Sequence, residues 1–141
     1  MHAGRVSEMR YFLDTDICIF ALKGAQPRIE ERLRGLSPAE IRIATIVRAE
    51  LLLGVLLSKS PSRTGDAVQR FLAPFEVVPF GAASADAYAR IRHSLEKKGQ
   101  PIGPNDLILA ATVLSQGGCL VTHNLKEFRR VEGLHVEDWT A

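Results

Sequence analysis

The sequence predicts an α/β layer fold built around a mostly parallel sheet. Three observations carry that reading. Short runs rich in β-branched and aromatic residues alternate with longer segments of helical period. Glycine and proline mark most of the boundaries between them. No internal repeat, low-complexity stretch or linker divides the 141 residues, a length that fits one domain.

Residues 9–14, MRYFLD, read as a short strand that ends at an acid. ICIFALKG follows as a short helix, with Asp16 as its N-cap and Gly24 as its stop. PRIEERLRGL reads as a second helix, with Pro27 in the first turn and Ile29, Leu33 and Leu36 on one face. Residues 41–44, IRIA, alternate like a half-buried strand, and Thr45 caps the helix IVRAELLLGVLLSK. Ser62 to Phe71 forms another helix, ending before Pro74. Residues 75–80 form a strand whose pairing Pro79 limits. Residues 84–98 are the clearest amphipathic helix, with Tyr88, Ile91 and Leu95 on one face and Asp86 in the first turn. After the loop KGQPIGP, NDLILAATVLSQ is a buried helix stopped at Gly117 and Gly118. CLVT, residues 119–122, is a short buried strand. LKEFRRV is a helical turn, and LHVEDW is a last strand or edge, packed onto the core by Trp139.

Composition excludes several classes. An apolar share of 46% excludes disorder. The net charge of +2 permits contact with nucleic acid but does not announce it. No apolar run approaches the roughly 20 residues of a membrane span. Cys18 and Cys119 lie in apolar runs and read as reduced core residues of a cytoplasmic protein, not as a zinc site. Residues 1–8, MHAGRVSE, read as a flexible leader without the apolar centre of a signal peptide.

The acids fall at comparable places. Asp14 ends the first strand, Glu50 lies in the helix after the second, and Asp106 opens the buried helix; Asn124 follows CLVT. Open α/β sheets bind ligands beyond the carboxyl ends of their strands. Glu50 is the only charged residue from Ala49 to Leu57, and Asp106 is followed directly by Leu107, Ile108, Leu109 and Ala110. Each acid also has an ordinary role open to it: a turn at Asp14, a solvent-facing Glu50 near Arg48, a helix-start charge at Asp106. Three carboxylates in one pocket would repel and retain protons unless a cation joined them. Mg²⁺ suits such a set, taking carboxylate and water oxygens at about 2.0–2.1 Å, and such a site suits phosphodiester hydrolysis.

LDTDICIF, AELLLG, GPNDLILAA and VTHNLKEFRRVEGLHVEDW, in this order, resemble the PIN-domain family, and more closely the VapC-type toxins of bacterial toxin–antitoxin pairs. The resemblance covers residues 9–141. It implies a three-layer α/β/α fold with a mostly parallel central sheet. It implies a Mg²⁺- or Mn²⁺-dependent endoribonuclease that cuts structured RNA, with transfer RNA the expected substrate. It further implies a partner antitoxin that blocks the acidic pocket, and a homodimer or toxin–antitoxin hetero-oligomer. The family's acids fall on Asp14, Glu50 and Asp106, the expected catalytic set and metal ligands. The fourth ligand position falls on Asn124, where many relatives carry Asp; an amide oxygen ligates but adds no charge. Thr15, Asp16 and Thr122 are expected to orient those ligands. Glu127 either assists Asn124 or, the preferred reading, pairs with Arg130 along the helix.

Arg28, Arg32 and Arg34, Lys97 and Lys98, Arg129 and Arg130, His93 and His123 are candidate RNA contacts, but an ordinary solvated surface explains any one of them better. Two alternatives remain. LDTD also resembles the aspartyl-phosphate motif of haloacid-dehalogenase-like phosphatases, but Cys18 stands where that motif has Thr or Val. An incomplete fourth acid also fits a non-catalytic PIN module that binds RNA or a protein partner.

Overall fold

Strands of three or four residues hold a sheet together only when apolar side chains cover both faces. The computed structural model describes residues 9–141 and has this arrangement; the leader expected at 1–8 lies outside the described residues. The element order is β1 (Tyr11–Leu13), α1 (Thr15–Lys23), α2 (Pro27–Arg34), a 3-10 turn (Pro38–Glu40), β2 (Ile41–Ala44), α3 (Thr45–Leu57), α4 (Pro61–Leu72), β3 (Glu76–Val78), α5 (Ala82–Lys97), α6 (Pro104–Ser115), β4 (Cys119–Val121), α7 (Leu125–Phe128) and β5 (His135–Glu137).

The sheet order is β3-β2-β1-β4-β5. All four pairings are parallel, so the mostly parallel sheet expected from sequence is wholly parallel among the described residues. Phe12, Leu13, Ile43, Ala44, Leu120 and Val121 are all buried, as central strands covered by helices on both faces require. Ile17, Ile29, Val47, Leu51, Ala110 and Val113 bring the helices onto them. Trp139 is buried beyond β5, its ring 5.6 Å from that of Tyr11.

Several local expectations are corrected. The N-cap of α1 is Asp14, not Asp16; pairing of β1 leaves Asp14 extended, and its side chain accepts from the Ile17 amide. Asp16 lies within the first turn. Thr45 begins α3 and does not cap it, because its hydroxyl donates to the Val78 carbonyl of β3 at 3.2 Å. The second helix stops at Arg34, and β3 stops before Pro79. Gly24 does end α1, in the left-handed region at φ 65°.

Gly118 is fixed by space. It leads from α6 into β4, and an added Cβ would lie 2.6 Å from the Phe12 ring and 3.1 Å from the Arg10 carbonyl. That carbonyl already accepts from the Cys119 amide at 2.9 Å, and Phe12 is buried. Gly118→Ala is therefore expected to cost about 1–3 kcal/mol by overpacking. The urea midpoint should fall at unchanged slope; an unchanged midpoint would show that Phe12 has room to move aside.

Candidate active site

The chain builds its sheet outward from β1 in one direction, through β2 to β3, and then returns to add β4 and β5 on the other side. The strand order therefore reverses between β1 and β4, where a doubly wound sheet opens a crevice at its carboxyl end. Asp14 follows β1 and Thr122 follows β4, so both stand at that seam. The Asp14 amide donates to the Val121 carbonyl at 3.0 Å, and the Thr122 amide donates to the Glu137 carbonyl at 2.9 Å. The backbone on both sides of the crevice is thus pinned.

Asp14 Oδ1 accepts from the Ile17 amide at 2.9 Å, and the Thr122 hydroxyl also bonds the carboxylate. Burial nevertheless dominates, and with the charges of Asp16 and Glu50 it raises the Asp14 pKa to about 6. Asp106 enters from the first turn of α6. Loss of hydration, a carboxyl–carboxyl hydrogen bond with Glu127, and the charges of Glu127, Glu50 and Asp14 raise its pKa to about 7. Glu50 arrives from α3, where its apolar neighbours left it without a local partner. Thr15 Oγ1 donates to its Oε1 at 2.5 Å, and Asn105 Nδ2 donates to its Oε2 at 3.2 Å.

A pocket of about 230 Å³ is lined by Asp14, Thr15, Asp16, Glu50, Asp106 and Leu109. Five of the seven residues singled out from sequence therefore share one cavity. Thr122 supports it from beneath, through Asp14. Asn124 stands beside it: its amide N–H donates to Thr122 Oγ1 at 3.0 Å and its side-chain Nδ2 donates to Glu127 Oε1 at 3.3 Å.

The expected Glu127–Arg130 pair is corrected. Glu127 turns to Asp106 and Asn124, while Arg130 donates to the Pro101 carbonyl at 3.0 Å. Glu127 thus joins the acidic cluster. Asn105 was missed altogether; its only signal was its place beside Asp106 in GPNDLILAA. The basic cluster on α2 is absorbed structurally. Arg28 donates to the Ala141 carbonyl at 3.1 Å, Arg32 pairs with Glu137 at 3.0 Å, and Arg34 stands 3.7 Å from Glu30.

The donor set consists of hard oxygens, the chemistry that Mg²⁺ and Mn²⁺ favour. Burial first, and the neighbouring carboxylates after it, disfavour the charged forms of Asp14 and Asp106, and a bound cation would offset both. As placed, no three His, Cys, Asp or Glu side chains among the described residues form a closed coordination set. The acids share a cavity, with their oxygens held by Thr15, Ile17, Asn105 and Thr122.

This fold and this crevice define a PIN domain: that family matches residues 11–134, and the chain belongs to it. Among named relatives, the chain is 35% identical over 132 residues to the tRNA(fMet)-specific endonuclease VapC of Shigella flexneri, a match covering 94% of this chain and 99% of that protein. It is 37% identical over 132 residues to ribonuclease VapC2 of Rickettsia felis, covering 93% and 98% of the two chains. The DNA-bound VapBC structure from Salmonella typhimurium contains a chain that superposes with a TM-score of 0.87 at 36% identity, covering 93% of this chain and 98% of that one.

The raised carboxyls have a direct consequence for stability. In the folded state Asp14 and Asp106 hold protons more tightly than at the ordinary value of 3.8. Between that value and the raised ones the folded state binds more protons, so stability is lost as pH rises through the window. Chelator-treated protein should be less stable at about pH 8 than at about pH 4, with Asp14 contributing on the order of 2 kcal/mol. Asp106→Asn should flatten the upper part of the curve. Denaturation midpoints across this range test it, and a midpoint that rises with pH would rule it out.

Proposed function

We propose that this chain is a metal-dependent endoribonuclease toxin that cuts structured RNA, transfer RNA foremost, and is held inactive by an antitoxin. The observation that carries the proposal is the convergence of Asp14, Glu50 and Asp106, from three distant segments, on one pocket at the carboxyl end of the sheet. The names of the relatives support the RNA substrate, and the VapBC structures support the antitoxin.

Asp14 and Asp106 would hold Mg²⁺ or Mn²⁺, with Glu50 completing the set or aligning water. When bound, such a cation stabilises charge on phosphate oxygens and acidifies a water molecule. Thr15 and Asn105 fix the Glu50 carboxylate from both sides, and Thr122 and the Ile17 amide fix Asp14. Asn124 and Glu127 form an outer pair through which Asp106 is oriented. Each acid is thus preorganised, as transition-state stabilisation demands.

Glu50 also lines a larger, mainly apolar groove of about 440 Å³ between α1, α3 and α4. A protein segment lying there would reach the acids, which suits neutralisation by an antitoxin. Among the described residues no helix is long and apolar enough to cross a membrane. The two free, buried cysteines and the RNA substrate suit the cytoplasm. We further propose assembly as a homodimer or a toxin–antitoxin hetero-oligomer.

The test uses antitoxin-free protein, a transfer RNA and Mn²⁺. Cleavage is expected, with loss on chelation and recovery when metal is restored. Asp14→Asn and Asp106→Asn should each lower kcat/KM by at least roughly 100-fold while circular dichroism stays unchanged. Cleavage that persists in both folded variants, or in excess chelator, would remove the acids from the reaction.

A further inference from the structure

His123 stands between two residues that contact the acidic cluster. Thr122 bonds Asp14, and Asn124 bonds Glu127. Its ring packs edge-on against Phe20, with centroids 6.4 Å apart. Phe20 lies one helical turn after Asp16, which lines the acidic pocket, so the two share a face of α1 at about 5–6 Å between Cβ atoms. His123 is therefore at the rim of the pocket, and its side chain is 64% exposed.

The ring is also fixed in one tautomer. Nδ1 lies 3.2 Å from Asp138 Oδ2 and 3.0 Å from Thr140 Oγ1. The Thr140 hydroxyl donates its one hydrogen to Asp138 Oδ1 at 2.6 Å, so toward His123 it can only accept. Burial works against ionisation of Asp138, but the Thr140 hydroxyl and amide and the His123 ring outweigh it and hold the carboxyl below its ordinary value. Asp138 is thus a carboxylate and also only accepts. Two acceptors at Nδ1 place the hydrogen there, which leaves Nε2, on the far side of the ring, with a free lone pair in the neutral imidazole.

We propose that His123 Nε2 accepts a hydrogen bond from a ribose 2′-hydroxyl of RNA lying across the rim, with Asp138 and Thr140 as positioning residues that hold the tautomer. The proposal rests on the reading that this pocket acts on RNA, and it adds a group that distinguishes RNA from DNA. The 2′-hydroxyl is the donor that DNA lacks. An acceptor fixed at the edge of an acidic pocket suits a neutral donor better than it suits a phosphate.

The test is a cycle between protein and substrate. A transfer-RNA anticodon stem-loop is synthesised with single 2′-deoxy substitutions at each loop nucleotide. Dissociation constants are measured by fluorescence anisotropy at about pH 8, above the range where imidazoles ordinarily titrate. This readout needs no cleavage. With the wild-type chain, one 2′-deoxy substitution should weaken binding by roughly three- to tenfold, the effect of one neutral hydrogen bond. His123→Ala should weaken binding of the all-RNA loop by the same factor, and the deoxy substitution should then add nothing.

Asp138→Asn combined with Thr140→Val, which removes the other acceptor at Nδ1, should do the same with the ring still present. The backbone amide of residue 140 donates to Oδ1 at 2.8 Å, so the new side-chain amide keeps its oxygen there and turns its NH₂ toward His123. With no acceptor left at Nδ1, that donor moves the hydrogen to Nε2 and removes the acceptor there. Effects of His123→Ala that multiply with every deoxy substitution would overturn the proposal. So would an Asp138→Asn, Thr140→Val chain that keeps the wild-type deoxy penalty. An intact cycle without any cleavage would fault the nuclease reading alone, and cleavage with independent effects would fault only the role of His123.

Discussion

The pocket depends on one buried carboxylate at the seam between β1 and β4. Asp14 caps α1 through the Ile17 amide, is anchored by its own amide to Val121, and is bonded by Thr122 from the neighbouring strand. A serine or threonine would cap the helix as well. An acid here also carries a desolvation cost, visible in the raised pKa, that outweighs what the Ile17 amide and the helix N-terminus return to its charged form. Retaining that charge makes sense as a functional demand that the fold tolerates. The tolerance comes from the sheet, whose short, buried strands β1 and β4 pin the backbone on either side of the acid.

The alternation of strands and helices was legible because each element is short and carries its own period. The ends of elements were less legible, for identifiable reasons. Asp14 and Asp16 both satisfy the preference for a capping acid, and only the pairing of β1 decides between them. Thr45 has the chemistry of a cap, but a carbonyl of β3, 33 residues away, takes its hydroxyl. The three acids were legible because burial of a charge leaves a trace in sequence: an isolated carboxylate among leucines. Asn105 leaves no such trace, since its partner Glu50 lies 55 residues away and an asparagine near a helix start is ordinary. Glu127 was misread because the local rule pairs residues three apart on a helix, whereas Pro101 and Asp106 offer both members better partners.

The basic residues show why a count of charges says little about substrate. The cluster on α2 looked like a surface for phosphate. Arg32 instead lies over the Trp139 ring, 4.8 Å from its centroid, and pairs with Glu137, whose Oε1 also accepts from the indole N–H at 3.0 Å. Arg28 reaches the last residue of the chain. These arginines clasp the C-terminal segment onto the core, and their charge is largely spent on that. Arg42 and Arg92 are likewise paired, with Glu76 and Glu96.

On the proposed reading, a polyanion would approach a pocket of acids with little help from these cations. Two features of the geometry answer that difficulty. The first is that the acids are not a fixed block of negative charge. Burial, with the neighbouring Glu127, Glu50 and Asp14 carboxylates, raises the Asp106 pKa to about 7, so near neutrality this acid holds a proton part of the time. A bound cation and that proton relieve the same field, so whatever favours one disfavours the other. The second is that neutral side chains, Thr15 and Asn105, hold Glu50 at the pocket. Neutral donors and acceptors have no Coulombic quarrel with phosphate and distinguish shapes that a lysine does not. With the α2 arginines engaged elsewhere, such groups are what this region offers a substrate, and on the proposal above the tautomer held by Asp138 decides whether His123 accepts or donates.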